Sequence, residues 1–148
     1  MQKNKAIVID IDGVILDSEI ILKEIYDLNL KDDPMWKYFH ANCNSSRVTF
    51  LSNIFPLLSN IDSSVSIILS TARNECCRKG TEERLHKEGI VFTKLYMRPS
   101  DDYRLSSEIK REHIEDIQRD FDIIAFIDDD LSNCKMAKDK GILALRRV

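Results

Sequence analysis

The sequence predicts an α/β fold organised on a parallel sheet, and three observations predict it. Short apolar runs rich in β-branched residues recur at Lys5–Ile9, Val65–Ser70, Lys94–Met97, Phe121–Ile127 and Ile142–Leu145. An uninterrupted run of this kind reads as a strand covered on both faces, the habit of parallel sheets. Helical spacing fills the stretches between the runs, as the crossovers of parallel strands require. Finally, two strands break off into carboxylates, Asp10-Ile11-Asp12-Gly13 after the first and Asp128-Asp129-Asp130 after the fourth. Ligands of open α/β sheets gather beyond the carboxyl ends of strands, so both acid groups stand where a crevice is expected.

Taken in order, the first strand delivers two acids two residues apart. They repel each other unless a cation or a proton lies between them, and Gly13 lets the backbone approach a ligand. From Ile15 to Leu30 the apolar residues keep helical spacing, with Asp17 or Ser18 as the cap. Pro34 is expected as the first residue of a short helix carrying Met35–His40. A third helix is expected from Ser45 or Ser46, interrupted by Pro56. Residues 15–62 thus form a helical insert within a single domain spanning 1–148. The insert is either a partial cap that helps choose the substrate or a set of crossover helices covering the sheet. Trp36, Tyr38 and Phe39 are read as core residues.

The second strand runs straight into Thr71-Ala72-Arg73, and the helix after it, Glu75 to Glu88, closes on Gly89, a residue suited to a left-handed helix end. Beyond the third strand, Arg98-Pro99-Ser100-Asp101-Asp102-Tyr103-Arg104 has the composition of an irregular segment. A long amphipathic helix, Leu105 to Arg119, presents Ile109, Ile114 and Ile117 to the sheet and carries Lys110 near its middle. After the fourth strand, Asp130 caps a helix over Leu131 to Lys140, Gly141 stops it, and the short fifth strand follows.

Size and charge bound the function. With 148 residues, 43% hydrophobic and 32% charged, one globular domain is expected. A net charge of −3 argues against a protein that coats long nucleic acid by charge alone, while leaving room for a local basic pocket. No apolar run reaches the ~20 residues of a membrane span, and Met1–Asn4 leads directly into a strand. No membrane partner and a cytoplasmic location are therefore expected. Cys43, Cys76, Cys77 and Cys134 lack paired C-x-x-C spacing, and Cys76 and Cys77 are too close in sequence for a relaxed disulfide. Reduced cysteines without a zinc site are expected. His40, His86 and His113 show no metal spacing, and nothing in the pattern sets an oligomeric state.

Asp10-Ile11-Asp12-Gly13-Val14, Ser70-Thr71-Ala72-Arg73, Lys110 and Asp128-Asp129 stand in the order of the four motifs of the haloacid dehalogenase (HAD) superfamily, which the chain resembles over most of its length. Within it, Leu95-Tyr96-Met97-Arg98-Pro99, Asp102, Arg104, Ile109-Lys110-Arg111-Glu112 and Phe126-Ile127-Asp128-Asp129 look like the 3′-phosphatase domain of phage polynucleotide kinases and its stand-alone bacterial relatives. Asp33-Pro34-Met35-Trp36 followed by Phe39 is similar to the inserts of those relatives. Cys134-Lys135-Met136-Ala137-Lys138 departs from the Met-Trp-Arg run usual there. The chain holds no G-x-x-x-x-G-K loop, so no ATP-binding kinase half is expected.

The resemblance implies a Rossmann-like, HAD-type three-layer fold with a five-stranded parallel sheet, and a Mg²⁺-dependent phosphomonoester hydrolase working through an aspartyl-phosphate. It implies Asp10 as nucleophile and Asp12 as the acid that protonates the leaving oxygen and then activates water. Mg²⁺ prefers hard oxygen ligands and keeps several waters, so Asp10, the Asp12 carbonyl and Asp129 would suffice as protein ligands, with Asp128 just behind them. Thr71 would donate to a phosphoryl oxygen, and Lys110 would balance the charge of Asp10 and the phosphate. Asn133, where relatives place a further acid, would orient the metal shell. Arg73, Arg98 and Arg104 are candidates for gripping the substrate's phosphate or sugar end, or else form surface ion pairs. A nucleotide or nucleic-acid end phosphate is the leading substrate class. The alternatives are a small-molecule phosphatase for nucleotides or sugar phosphates, and a catalytically silent phosphate-binding domain, against which the intact acid set argues.

Overall fold

The structure is a computed structural model that describes residues 2–148. In chain order, β1 (Asn4–Ile9) leads to β2 (Leu16–Asp17), α1 (Glu19–Asp27), α2 (Asp32–Asn42), β3 (Thr49–Phe50), a 3₁₀ turn and α3 (Phe55–Asn60). Then follow β4 (Ser66–Asn74), the 3₁₀ turn Glu75–Cys77, α4 (Arg78–Lys87) and β5 (Lys94–Arg98). The chain closes with α5 (Ser106–Asp120), β6 (Phe121–Asp128), α6 (Leu131–Asp139) and β7 (Ala144–Arg146).

Five strands make one parallel sheet in the order β5-β4-β1-β6-β7, a Rossmann-like HAD-type arrangement with β1 at its centre. The chain winds outward from β1 to β5, then crosses back to lay β6 and β7 on the other side, and such a switch point opens a crevice at the strand ends. Ile9 pairs with Leu69 on one side and Ile127 on the other. One residue further, Asp10, Ser70 and Asp128 therefore stand level on three adjacent strands.

Alternation of side chains decides what each of these meets. Ala6, Val8, Ile68 and Phe126 point to the layer of α5 and α6, where they pack with Ile114, Ile117 and Met136. Ile7, Ile9, Leu69 and Ile127 point to the other layer, with Leu85 of α4 and Ile21, Ile25 and Phe39 of the insert. Asp10 and Asp128 share the parity of the first set, so both are directed to α5. Lys110 belongs to the buried stripe of α5 with Ile114 and Ile117, and that stripe delivers its ammonium to the two acids.

The insert departs from the helical reading in several places. Residues 15 and 16 are not helical, because the amides of Val14, Ile15 and Leu16 all turn back onto the carbonyl of Ile11, and Ile15 and Leu16 are drawn wholly into the core. Leu16–Asp17 then pairs antiparallel with Thr49–Phe50, where a helix from Ser45 was expected. Helix α1 starts only at Glu19, whose amide donates to Asp17 Oδ1 at 3.0 Å. Pro34 is the third residue of α2 rather than the first, and Pro56 lies in the first turn of α3, opening that helix instead of interrupting it. Both positions lack an intrahelical partner for N–H in any case. At the other end, Ile142 is buried beneath the sheet as a loop residue, and β7 is displaced toward the C-terminus of its expected span. Among the described residues, no helix is long and apolar enough to cross a membrane.

Candidate active site

At the carboxyl end of β1, Lys110 Nζ lies 2.8 Å from Asp10 Oδ1 and 2.6 Å from Asp128 Oδ2, all three side chains being almost completely buried. Asp10 Oδ1 also accepts from the Ile11 amide at 2.8 Å. Asp129 approaches the same point, so that carboxylate oxygens of Asp10, Asp128 and Asp129 lie within 4.8 Å of one another. Burial, which disfavours charge, pushes Asp10 well above its ordinary value of 3.8; Lys110 opposes that and Asp128 adds to it. Asp129 is raised as well, again chiefly by burial. Gly13 permits the approach: its φ is +85°, and a Cβ there would collide with the Asp129 carboxylate.

Asp12 has a cation of its own. Arg73 Nε and Nη2 each donate at 2.8 Å to its two oxygens, and the Ser18 hydroxyl donates to Oδ1. Burial alone would raise Asp12, but the Arg73 guanidinium and the Ser18 hydroxyl hold it below 3.8. Arg73 is 1% exposed, and its remaining N–H groups go to Asn44 Oδ1, Thr81 Oγ1 and the Cys43 carbonyl at 2.6–3.1 Å. With all five N–H groups engaged inside the protein, none is left to grip a substrate. Arg73 thus holds Asp12, a correction to its reading as a substrate ligand.

Thr71, 1% exposed, accepts the Arg73 amide at 3.1 Å and lines the cleft above the acids. That cleft measures about 330 Å³. Its floor is Asp10, Asp12, Lys110 and Asp129, and its wall is Leu22 and Ile25 of α1 with Met35 and Trp36 of α2. Trp36 is therefore a wall residue of the insert, partly exposed, rather than sealed core. Arg98 and Arg104 stand outside the cleft. Arg98 is buried against backbone, donating to the carbonyls of Ala72, Asp102 and Arg104 at 2.6–3.0 Å, with its guanidinium 5.5 Å from the centre of the Trp36 ring. Arg104 lies on the surface in an ion-pair group with Asp102 and Glu112.

The donor set suits a hard divalent cation: clustered carboxylate oxygens, with the backbone free to approach at Gly13. Asn133 supplies a further sign. Its Nδ2 lies 3.3 and 3.2 Å from the two Asp128 oxygens, which fixes the amide orientation, and its buried Oδ1 has no protein partner. Asp130 caps α6 by accepting from the Asn133 amide at 3.0 Å. Ser18, Asn44 and Thr81 escaped the sequence reading, since a serine before a helix signals only a cap. Arg147 also escaped it, although its Nη1 donates to the Gly13 carbonyl at 3.2 Å.

The profile of the family described as the polynucleotide kinase PNKP phosphatase domain matches residues 4–146. Among solved structures, a chain of the Pnkp1/Rnl/Hen1 RNA repair complex is 23% identical with a TM-score of 0.77, over 98% of this chain and 42% of that one. The class C acid phosphatase from Bacillus anthracis with tungstate bound is 18% identical, with a TM-score of 0.68, over 95% and 63%. A HAD family enzyme from Bacteroides thetaiotaomicron, in complex with magnesium and inorganic phosphate, is 19% identical with a TM-score of 0.58, over 97% and 94%. The chain thus spans less than half the length of the repair-complex chains. No curated protein matches it.

Proposed function

The chain belongs to the polynucleotide kinase phosphatase-domain family of HAD phosphatases, and from that premise we propose that it is a Mg²⁺-dependent phosphomonoester hydrolase acting on a nucleotide or nucleic-acid end phosphate. The observation that carries the reading is the buried Lys110 ammonium between Asp10 and Asp128 on the floor of a cleft.

A phosphate monoester dianion and an aspartate repel each other, so positioned positive charge must offset that repulsion. Asp10, Asp129 and the Asp12 carbonyl would hold Mg²⁺, with Asp128 and Asn133 behind them, and the ion would supply much of that charge. Lys110 and the Ile11 amide hold Asp10 Oδ1, which presents the other oxygen to phosphorus. As that oxygen bonds to phosphorus the ester bond breaks, and Asp12 gives a proton to the leaving oxygen. Asp12 then takes a proton from the water that attacks the aspartyl-phosphate, releasing inorganic phosphate and restoring Asp10. Arg73 holds Asp12 below its ordinary value in the free protein, so Asp12 must take up a proton from solvent as the substrate dianion arrives before it can serve as an acid. Thr71 donates its hydroxyl proton to a phosphoryl oxygen.

The apolar wall of Leu22, Met35 and Trp36 suits the face of a base or sugar. A volume of about 330 Å³ is at the small end of ligand pockets, which favours a mononucleotide or sugar phosphate as the second reading. Turnover of a 3′-phosphorylated oligonucleotide, compared with a panel of mononucleotides and sugar phosphates, separates them. Preference for the oligonucleotide supports the first reading, and preference for the panel replaces it with the second.

A further inference from the structure

Behind Arg73, the insert and the core bring three thiols and an imidazole together. His40 comes from the last turn of α2, Cys43 follows that helix, and Cys76 and Cys77 lie in the 3₁₀ turn after β4. The sulfurs of Cys76 and Cys77 are 3.7 Å apart, and a ring nitrogen of His40 lies with them in a group no wider than 4.8 Å. Cys43 Sγ and Cys77 Sγ both lie beside the His40 carbonyl, at 3.6 and 3.7 Å. No disulfide occupies these thiols. None of the four side chains has a part in the proposed hydrolysis.

We propose that His40, Cys76 and Cys77 form a site for a borderline-soft divalent metal of the Zn²⁺ class, with Cys43 beside it and a fourth position open to a side cavity. Two thiolates at about 2.3 Å from a tetrahedral zinc ion stand roughly 3.8 Å apart, close to the sulfur separation already present. Sulfur and imidazole select such metals, whereas the oxygen cluster of the cleft selects hard cations, so the two sites do not compete. Entry is open, because Cys76 is exposed and lines with His40 a cavity of about 240 Å³. The one bond His40 would give up is weak, a 3.4 Å contact from the Asn74 amide to Nε2. The neutral imidazole ring is the ligating form.

The site has a position from which it can act on the cleft. His40 stacks on Trp36 with ring centres 5.9 Å apart, so a metal tying α2 to the β4–α4 junction would fix the wall that Trp36 forms.

The test uses the reduced full chain, equilibrated with Zn²⁺ in excess Mg²⁺, freed of loose metal by gel filtration and assayed for zinc per chain. One zinc per chain is expected, and Co²⁺ in its place should give the thiolate charge-transfer and intense visible bands of a tetrahedral site. Cys76→Ser and His40→Gln, an exposed and a half-buried position, should each weaken zinc binding at least tenfold. Cys76→Ser should keep Mg²⁺-dependent hydrolysis of an aryl phosphate, and Asp129→Asn should keep its zinc. Absence of bound zinc in the wild type, zinc unaffected by either ligand variant, or zinc lost with Asp129→Asn would each overturn the proposal.

Discussion

Arg73 clasps Asp12 through two parallel hydrogen bonds, Nε to Oδ2 and Nη2 to Oδ1, both 2.8 Å long. Two residues earlier, Asp10 leans on Lys110 instead. Each acid of the Asp-x-Asp pair therefore has a separate cation, and the two environments drive their proton affinities apart, Asp10 up and Asp12 down.

Asp10→Asn is expected to cut hydrolysis by at least about a thousandfold with the fold retained, since an amide is a poor nucleophile. Steady-state rates on an aryl phosphate, with circular dichroism alongside, check it. Turnover near the wild-type rate would remove the covalent route.

Arg73→Lys should lower kcat by about 10² or more with little change in KM, because a lysine cannot reproduce the two-pronged grip on Asp12. A rise in KM at constant kcat would return Arg73 to the substrate.

Lys110→Met leaves Asp10 and Asp128 buried without their cation, at a cost of about 3–5 kcal/mol in the absence of metal. Mg²⁺ should restore much of that loss. Urea unfolding with and without Mg²⁺ measures both, and equal effects of Mg²⁺ on wild type and variant would argue against a cation between these acids.

His113 bridges the sheet from α5, with Nδ1 2.8 Å from Ser70 Oγ and Nε2 3.0 Å from the Met97 carbonyl. Burial, with Lys110 nearby, lowers its pKa from 6.5 to about 4. Between those values the unfolded chain binds a proton that the folded chain refuses, so stability falls as pH drops from 6.5 toward 4, by about 3 kcal/mol from this group. His113→Gln should flatten that part of the stability profile, and an unchanged slope would place the acid sensitivity elsewhere.

Most of the sheet was legible because β1, β4 and β6 are covered on both faces and their apolar runs have no other use. The acids stood out because each group ends an apolar strand, whereas Thr71 and Lys110 were singled out only through the order of motifs that the chain shares with the superfamily. The insert was misread where tertiary packing overrides periodicity: Ile15 and Leu16 fit a helix by spacing but are pulled into the core by the turn at Gly13. The arginines were beyond the sequence for a different reason. Nothing in Ser70-Thr71-Ala72-Arg73 shows that Asn44, Thr81 and Asp12 will converge on one guanidinium, or that Arg98 will be consumed by three carbonyls. The thiol–imidazole group hides likewise, since His40 and the Cys76-Cys77 pair come from different elements and no short spacing connects them.

Because β1 lies between β4 and β6, Asp10 is joined by acids more than a hundred residues further along the sequence, and Arg147 reaches back to the Gly13 carbonyl. During synthesis on the ribosome, β1 must wait with one flank open until β6 has emerged. Catalytic competence would therefore arrive only with β6, and fragments ending before that strand would be inert toward phosphate esters.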